Sequence, residues 1–387
     1  MAGKWSRGGF IAGASVAALG AAARGASAAP MMDMINQRPY DWGTPLEELG
    51  TKLYTPNRVF FIRSHMGPPG HIDMKTWRIS INGMVKKPIE VTLDDLKRMP
   101  KHEVSAVLQC AGNGRYWYGD AFPEASHPAG AQWRYGAVGN ARWVGVRVRD
   151  VLASVGVDPK ATFAKIYGLD NPLLPTTPKM IRGLDIHKVM DEDTIFAYEM
   201  NGEPIPYYHG YPVRLVVPGW AGDFWVKWFS NMTLQDHNTT NFWTAVGYRY
   251  PDKLGKPGVG VPPNKEHPVT VMNVKSIITS PLSKAGFKAG EAAVIQGLAW
   301  SGDGAYAKSV EISTDGGKSW RPAQLGELPD KYSWRSFSYR WTPDAKGAAT
   351  IIARATDSKG AVQPKASPWN PGGYLWNGVQ SVDVEVS

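Results

Sequence analysis

The sequence predicts an α+β chain in which a mixed domain of strands and short helices precedes an all-β sandwich of immunoglobulin type. Forty-two glycines and 30 prolines among 387 residues, with 20% charged side chains, favour turns and strands over long helices. A Pro/Gly-rich run from Pro251 to Pro263 divides the chain into two unequal parts. Beyond it, alternating apolar and polar segments recur over about 120 residues with turn signals between them, the spacing of a sandwich. The expected organisation is an export signal over 1–28, a mixed domain over 29–262 and the sandwich over 263–387.

The N-terminus has the parts of a cleavable signal. Lys4 and Arg7 give a positive start, Phe10 to Ala23 is weakly apolar, and Ala26-Ser27-Ala28 offers small residues for cleavage before Ala29. The stretch is too short and too mild to span a membrane, so no stable membrane anchor is expected. Ser6-Arg7-Gly8-Gly9-Phe10-Ile11 resembles a twin-arginine signal with Gly8 in place of the second arginine. A periplasmic protein is expected, exported folded by that route. Its loss takes Lys4, Arg7 and Arg24 and no acid, so the formal charge falls from +9 to +6. That balance suits anionic substrates or an acidic partner. No Lys/Arg run interleaved with aromatics is present, so nucleic acid is not expected.

Residues 29–60 show little periodicity and are expected to wrap over the surface. Trp77 to Asn82 alternates as a half-buried strand does. Thr92, with Asp95 three residues on, starts a short helix that Pro100 stops. Glu103 to Gln109 reads as a strand, and Val148 to Val155 as a short helix closed by Gly156. Strands over Ile195–Met200 and Val213–Val217 flank the turn Asn201-Gly202, and Val226 to Leu234 is another strand. In the last part, Ser309–Thr314, Phe337–Trp341, Thr350–Thr356 and Ser381–Val386 alternate, with Asp315-Gly316-Gly317 as a hairpin turn. Sixteen tryptophans imply extensive aromatic packing.

The chemistry concentrates around one residue. Cys110 is the only cysteine, which excludes an internal disulfide and leaves a buried inert thiol, a nucleophile or a single thiolate ligand. It ends an apolar run and enters a Gly-rich turn, Ala111-Gly112-Asn113-Gly114, with Arg115 placed to favour the thiolate. Arg63 and His65 lie two apart on a predicted strand and share a face. His209, Arg214 and Lys227 stand among apolar and aromatic neighbours, where bare charge is costly. A bound phosphate and snorkelling to water explain their company equally well. Asn241 to Tyr250 is an aromatic loop.

Taken in order, these motifs resemble the sulfite oxidase family of molybdenum enzymes. They are Phe61-Ile62-Arg63-Ser64-His65, Cys110 to Arg115, Gly130 to Arg134 with Gly139 to Trp143, Ala197 to Gly202, His209 to Arg214 with Lys227, Ala299 to Gly302 and the Asp315 hairpin. The ordered set is specific where any single member would be weak. The resemblance covers roughly 60–387. It implies a mixed α/β molybdopterin-binding domain followed by an immunoglobulin-like dimerisation domain. It implies that Cys110 is the thiolate ligand of a molybdenum-molybdopterin cofactor, and that Arg63, Arg115 and Tyr248 line the sulfite pocket with Trp133 as a wall. Phe61, Arg63, His65, Asp170, His209, Arg214 and Lys227 are implied to hold the pterin and its phosphate.

The implied activity is oxidation of sulfite to sulfate in a homodimer, with electrons passed to a soluble cytochrome c. The chain lacks any Cys-x-x-Cys-His and so cannot hold a covalent c-type haem. Animal members place an arginine after a Trp-Asn pair; here Trp369-Asn370 is followed by Pro371 and Gly372, which implies a more open or weaker anion pocket. Lesser readings are a related molybdenum enzyme acting on protein-bound sulfur or a sulfoxide, a thiol hydrolase pairing Cys110 with His209 or His65, and a non-catalytic exported β-rich binding module.

Overall fold

The computed structural model describes residues 32–37, 40–257, 259, 262 and 265–387. The predicted export signal lies outside the described residues. Two five-stranded sheets build the first part. In one, Glu203–Pro204, Ile195–Met200, Val138–Arg147 and His102–Gln109 lie side by side, and Arg214–Val216 adds to Ile195–Met200. All its pairings are antiparallel. In the other the order is Ile89–Val91, Ile79–Gly83, Phe229–Gln235, Phe163–Gly168 and Ile181–Asp185. There Phe229–Gln235 runs parallel to Ile79–Gly83 and the remaining pairs are antiparallel. One apolar core takes residues from both, including Ile79, Ala106, Trp143, Ile166, Phe196 and Phe229.

The helices are short, as the glycine and proline content requires. Leu93–Arg98 starts at Thr92, whose hydroxyl accepts from the Asp95 amide while the Asp95 carboxylate accepts from the Thr92 amide. Val148–Ala153 buries Val148, Val151 and Leu152 on one side. Asn201 and Gly202 both adopt left-handed φ, 56° and 83°, which turns Ile195–Met200 into Glu203–Pro204.

The second part is a sandwich. Lys275–Ser280, Ala293–Trp300, Arg335–Trp341 and Gln324–Leu325 form one sheet. Gly286–Phe287, Ser381–Val386, Gly347–Asp357, Ala307–Ser313 and Arg321–Pro322 form the other. Ile278, Ile295 and Phe337 from the first meet Val310, Ile351 and Val384 from the second in a shared core. In Ser381–Val386 the exposed and buried residues alternate strictly, as its sequence does. Arg249–Pro251 and Glu266–Pro268 pair antiparallel at the two ends of the Pro/Gly-rich run.

Residues 40–60 depart from expectation. Gly50 to Leu53 run exposed over the surface, but much of the rest is built into the fold. Asp41–Gly43 pairs with both Asp33–Asn36 and Ile62–Arg63, and Asp41, Leu49, Val59 and Phe60 are buried. Bulky side chains at irregular spacing fill gaps in the core without leaving a period to read. Among the described residues no helix is long and apolar enough to cross a membrane.

Candidate active site

All the predicted site residues except Arg115 and Trp133 line one pocket, which is partly open to solvent. Strand His102–Gln109 delivers Cys110 to its floor. The Cys110 amide donates to the Ala137 carbonyl at 3.0 Å, and its own carbonyl accepts from the Asn113 amide at 2.9 Å, closing the turn. The thiol departs from the sequence expectation. Burial pushes its pKa up; Arg63 and Arg115 pull it down without prevailing. Neither histidine bonds the thiol, because His65 turns to Arg63 and Tyr248 and His209 turns to Asn57. The Cys–His pair a thiol hydrolase needs is therefore not formed here.

Arg63 ends the short strand Ile62–Arg63, and its Nη1 donates to both oxygens of Asp41, at 2.7 and 2.9 Å. Burial works to lower the Arg63 pKa, but Asp41 and Tyr248 outweigh it and the net direction is up. His65 lies beyond the strand. Its ring stacks on Trp243 with centroids 4.4 Å apart, and Arg63 Nη2 donates to its Nδ1 at 2.8 Å. Burial and then the neighbouring arginines hold its pKa well below the usual histidine value, so the ring is neutral. With Nδ1 accepting, the proton is assigned to Nε2, which donates to Tyr248 Oη at 2.5 Å. That leaves the Tyr248 hydroxyl proton free for another acceptor. Tyr248 is buried at a left-handed φ of 54°, a conformation unusual for a bulky residue and one that aims its ring into the pocket.

Arg115 is buried just behind the pocket lining. Its Nε donates to the Gly372 carbonyl at 3.0 Å and its Nη1 to the Ala131 carbonyl at 3.2 Å. The guanidinium lies over Gly112 and Gly130, where an added Cβ would come within 2.8 and 2.6 Å of it. Two bare glycines are what make room for the cation. Trp133 does not form a pocket wall. It is fully buried and packs edge-on to Phe61, with centroids 6.5 Å apart. Phe61 in turn stacks on Phe60 and lines the pocket.

At the other end stand His209, Arg214 and Lys227. His209 Nε2 donates to the Asn57 carbonyl at 3.2 Å, and burial with Arg214 and Lys227 lowers its pKa to about 3. Arg214 Nη2 donates to the Trp225 carbonyl at 2.9 Å, its Nε is buried without a partner, and burial lowers its pKa to about 9. Lys227 Nζ donates to Ser64 Oγ at 2.6 Å and to the Tyr208 carbonyl at 3.1 Å; burial and then Arg214 lower its pKa to about 7. Asp170 lines the same end, pushed up to about 6 by burial while Lys227 pulls it down.

Three residues were not singled out in the sequence. Asp41 neutralises Arg63. Arg182 and Asp223 form a fully buried pair, Nη2 to Oδ2 2.8 Å, beside the pocket. The Arg182 guanidinium lies over the Phe224 and Tyr248 rings at 4.4 and 5.2 Å. Each is a charge set in an apolar or aromatic run, as in Tyr40-Asp41-Trp42 and Asp223-Phe224-Trp225, and that placement was the available signal.

The residues fit a pterin cofactor with a phosphate and a thiolate-bound metal. Arg214 is a buried cation with no acid bonded to it and one unpartnered N–H, which an anionic group would satisfy. Among the described residues no three His, Cys, Asp or Glu side chains gather as a metal site, so a metal at Cys110 would take its other ligands from outside the protein. A soft thiolate suits a metal held mainly by sulfur.

Comparison with known proteins agrees with this chemistry. Residues 65–243 match the oxidoreductase molybdopterin binding domain family, and residues 266–387 match the Mo-co oxidoreductase dimerisation domain. The chain is 35% identical over 372 residues to mitochondrial sulfite oxidase of Rattus norvegicus, covering 92% of this chain and 66% of that protein. It is 30% identical over 371 residues to sulfite oxidase of Arabidopsis thaliana, covering 89% of this chain and 92% of that protein. The fold is similar to the crystal structure of the sulfane dehydrogenase SoxCD from Paracoccus pantotrophus, with a TM-score of 0.77 at 30% identity, covering 92% of this chain and 87% of that one. By domain content the chain is a molybdopterin oxidoreductase, and it belongs to the sulfite oxidase family.

Proposed function

We propose that the chain is a periplasmic sulfite dehydrogenase that oxidises sulfite to sulfate and passes two electrons to a soluble cytochrome c. The observation that carries this reading is a single buried thiol at the floor of a pocket that also holds Arg63 and Tyr248, with Arg115 close behind. Cys110 would hold the molybdenum, and His209, Arg214 and Lys227 the pterin phosphate, with Phe61, His65 and Asp170 along the pterin. When bound, the group supplies oxygen-atom transfer and takes up the two electrons.

The protein's part is to bind and orient the anion. Arg115, bonded only to carbonyls, carries uncompensated charge toward an oxyanion. Arg63, already neutralised by Asp41, contributes direction more than net charge. Neutral His65 donates to Tyr248 and so leaves the Tyr248 O–H to donate to a substrate oxygen. Oxyanion donors of this kind contribute about 2–4 kcal/mol each to catalysis elsewhere. The boundary between the domains is placed at residue 262, the sandwich is read as immunoglobulin-like, and through it the protein forms a homodimer.

A second reading is favoured by the SoxCD likeness: a substrate carrying sulfur on another protein, oxidised in the same pocket. Assay of the purified chain separates the two. Stoichiometric molybdenum and sulfite-dependent reduction of cytochrome c are expected, and Cys110→Ser should fold while losing both metal and turnover. Turnover of a protein-borne sulfane without turnover of sulfite would replace the first reading with the second. Wild-type turnover in Cys110→Ser would remove the ligand assignment.

A further inference from the structure

We infer that Tyr374, carried by the sandwich domain, is a positioning residue for the oxyanion site, acting through Arg115 and Tyr248. The inference rests on the reading of that site as an oxyanion pocket. The Tyr374 ring stacks on Tyr248 with centroids 5.3 Å apart and planes 21° from parallel. The Arg115 guanidinium sits over the same Tyr374 ring, 5.2 Å from its centroid. Tyr374 Oη accepts from the Tyr248 amide at 3.4 Å. One side chain from the second domain therefore touches two of the groups assigned to substrate.

Its own placement is fixed on several sides. Asn370 bonds both the Tyr374 amide and its carbonyl, each at 2.9 Å, and the Tyr118 hydroxyl donates to that carbonyl at 2.9 Å. The next residue, Leu375, donates to the Ala111 carbonyl at 2.7 Å, one residue from Cys110. Gly372 has no space for a side chain, since a Cβ there would lie 2.2 Å from the Tyr374 ring. The sequence implied a more open or weaker anion pocket at Gly372; in the structure the Tyr374 ring lies against Gly372, and the Gly372 carbonyl accepts from Arg115 Nε.

The arrangement makes anion affinity depend mainly on the ring, since the hydroxyl adds one long contact, 3.4 Å, to the Tyr248 amide. A ring face holds a guanidinium by cation–π attraction and a neighbouring ring by stacking, each a modest but directional term. Removing the ring frees Arg115 to turn away and lets Tyr248 rotate, which weakens ground-state and transition-state binding alike. In the holoenzyme, Tyr374→Ala should raise the KM for sulfite roughly tenfold with a much smaller change in kcat. It should weaken sulfate binding, read by calorimetry without turnover, by a similar factor. Tyr374→Phe keeps the ring and should restore both values to within about twofold of wild type. An unchanged sulfate affinity in Tyr374→Ala would overturn the inference, as would a Tyr374→Phe variant as impaired as Tyr374→Ala, or a wild-type protein with no affinity for sulfate. Failure of sulfite turnover in the wild type, with sulfate binding still sensitive to the ring, would discard the sulfite reading while supporting the role of Tyr374.

Discussion

At the scale of single residues, the arginines of the pocket are not equivalent, and their partners decide what each can do. Arg115 is bonded to carbonyls and retains its charge for a ligand, whereas Arg63 shares a nitrogen with both oxygens of a fully buried carboxylate. Replacing Arg63 therefore does more than remove a substrate contact. Arg63→Gln leaves the Asp41 carboxylate buried with the Asn36 amide but without its cation, and breaking such buried ion pairs costs about 3–5 kcal/mol elsewhere. The expected outcome is a lower urea midpoint together with a raised KM for sulfite. Adding Asp41→Asn should recover most of the stability and none of the affinity. A single variant as stable as wild type would show that Asp41 takes a proton or finds another partner.

At the scale of elements, short segments from the sandwich domain support the loop that carries Cys110. Lys275, on strand Lys275–Ser280, is buried, and its Nζ donates to the Asn113 carbonyl at 3.1 Å. Burial lowers its pKa to about 7 from an ordinary value of 10.5. A depressed lysine binds its proton more tightly in the unfolded chain, so between pH 10.5 and 7 each unit of acidification weakens folding by up to about 1.4 kcal/mol through this group. Arg214 and Lys227 titrate in the same window, so the test is a difference: the gap in unfolding free energy between wild type and Lys275→Met should close or change sign as pH falls from 10 to 7. A gap independent of pH would mean the amine reaches water. How much of this was legible in the sequence follows from the same physics. Regular elements announce themselves: Thr92 with Asp95 marked a helix start, and the alternation of Ser381–Val386 marked a strand. The motif residues Phe61, Cys110, His209 and Lys227 were legible as a site because their order along the chain matches a known pattern. Asp41, Arg182 and Tyr374 were not, since each acts through a partner far away in sequence. Arg63 and Asp41 are paired by a short strand no period reveals, and Tyr374 reaches Tyr248 from the other domain. The direction of the Cys110 shift was also hidden, because depth of burial is a property of the fold.

At the scale of the whole molecule, the two domains share a core as well as a chain. Val107, Tyr135 and Val138 from the first part pack with Ile277, Trp300 and Trp334 from the second in one apolar cluster. Polar groups cross the same junction: Trp300 Nε1 donates to Gln109 Oε1 at 3.0 Å, next to the cysteine, and Asn140 Nδ2 donates to Ser333 Oγ at 2.8 Å. Both bonds are buried, so separating the domains would expose the cluster and leave these groups without protein partners. A large, apolar junction opposes the relative motion that is otherwise the default between domains. The pocket accordingly has no independent half: its thiol loop is braced by Lys275, Leu375 and Trp300 from the sandwich. The full chain should unfold in a single calorimetric transition whose van't Hoff and calorimetric enthalpies agree per folded protomer. Weakening the junction by Trp300→Ala, which removes a fully buried ring at a cost of about 3–5 kcal/mol, should lower that one transition as a unit. Two resolved transitions in the wild type, with only one of them shifted in Trp300→Ala, would mean that the sandwich is an appendage and that the thiol loop holds its shape without it.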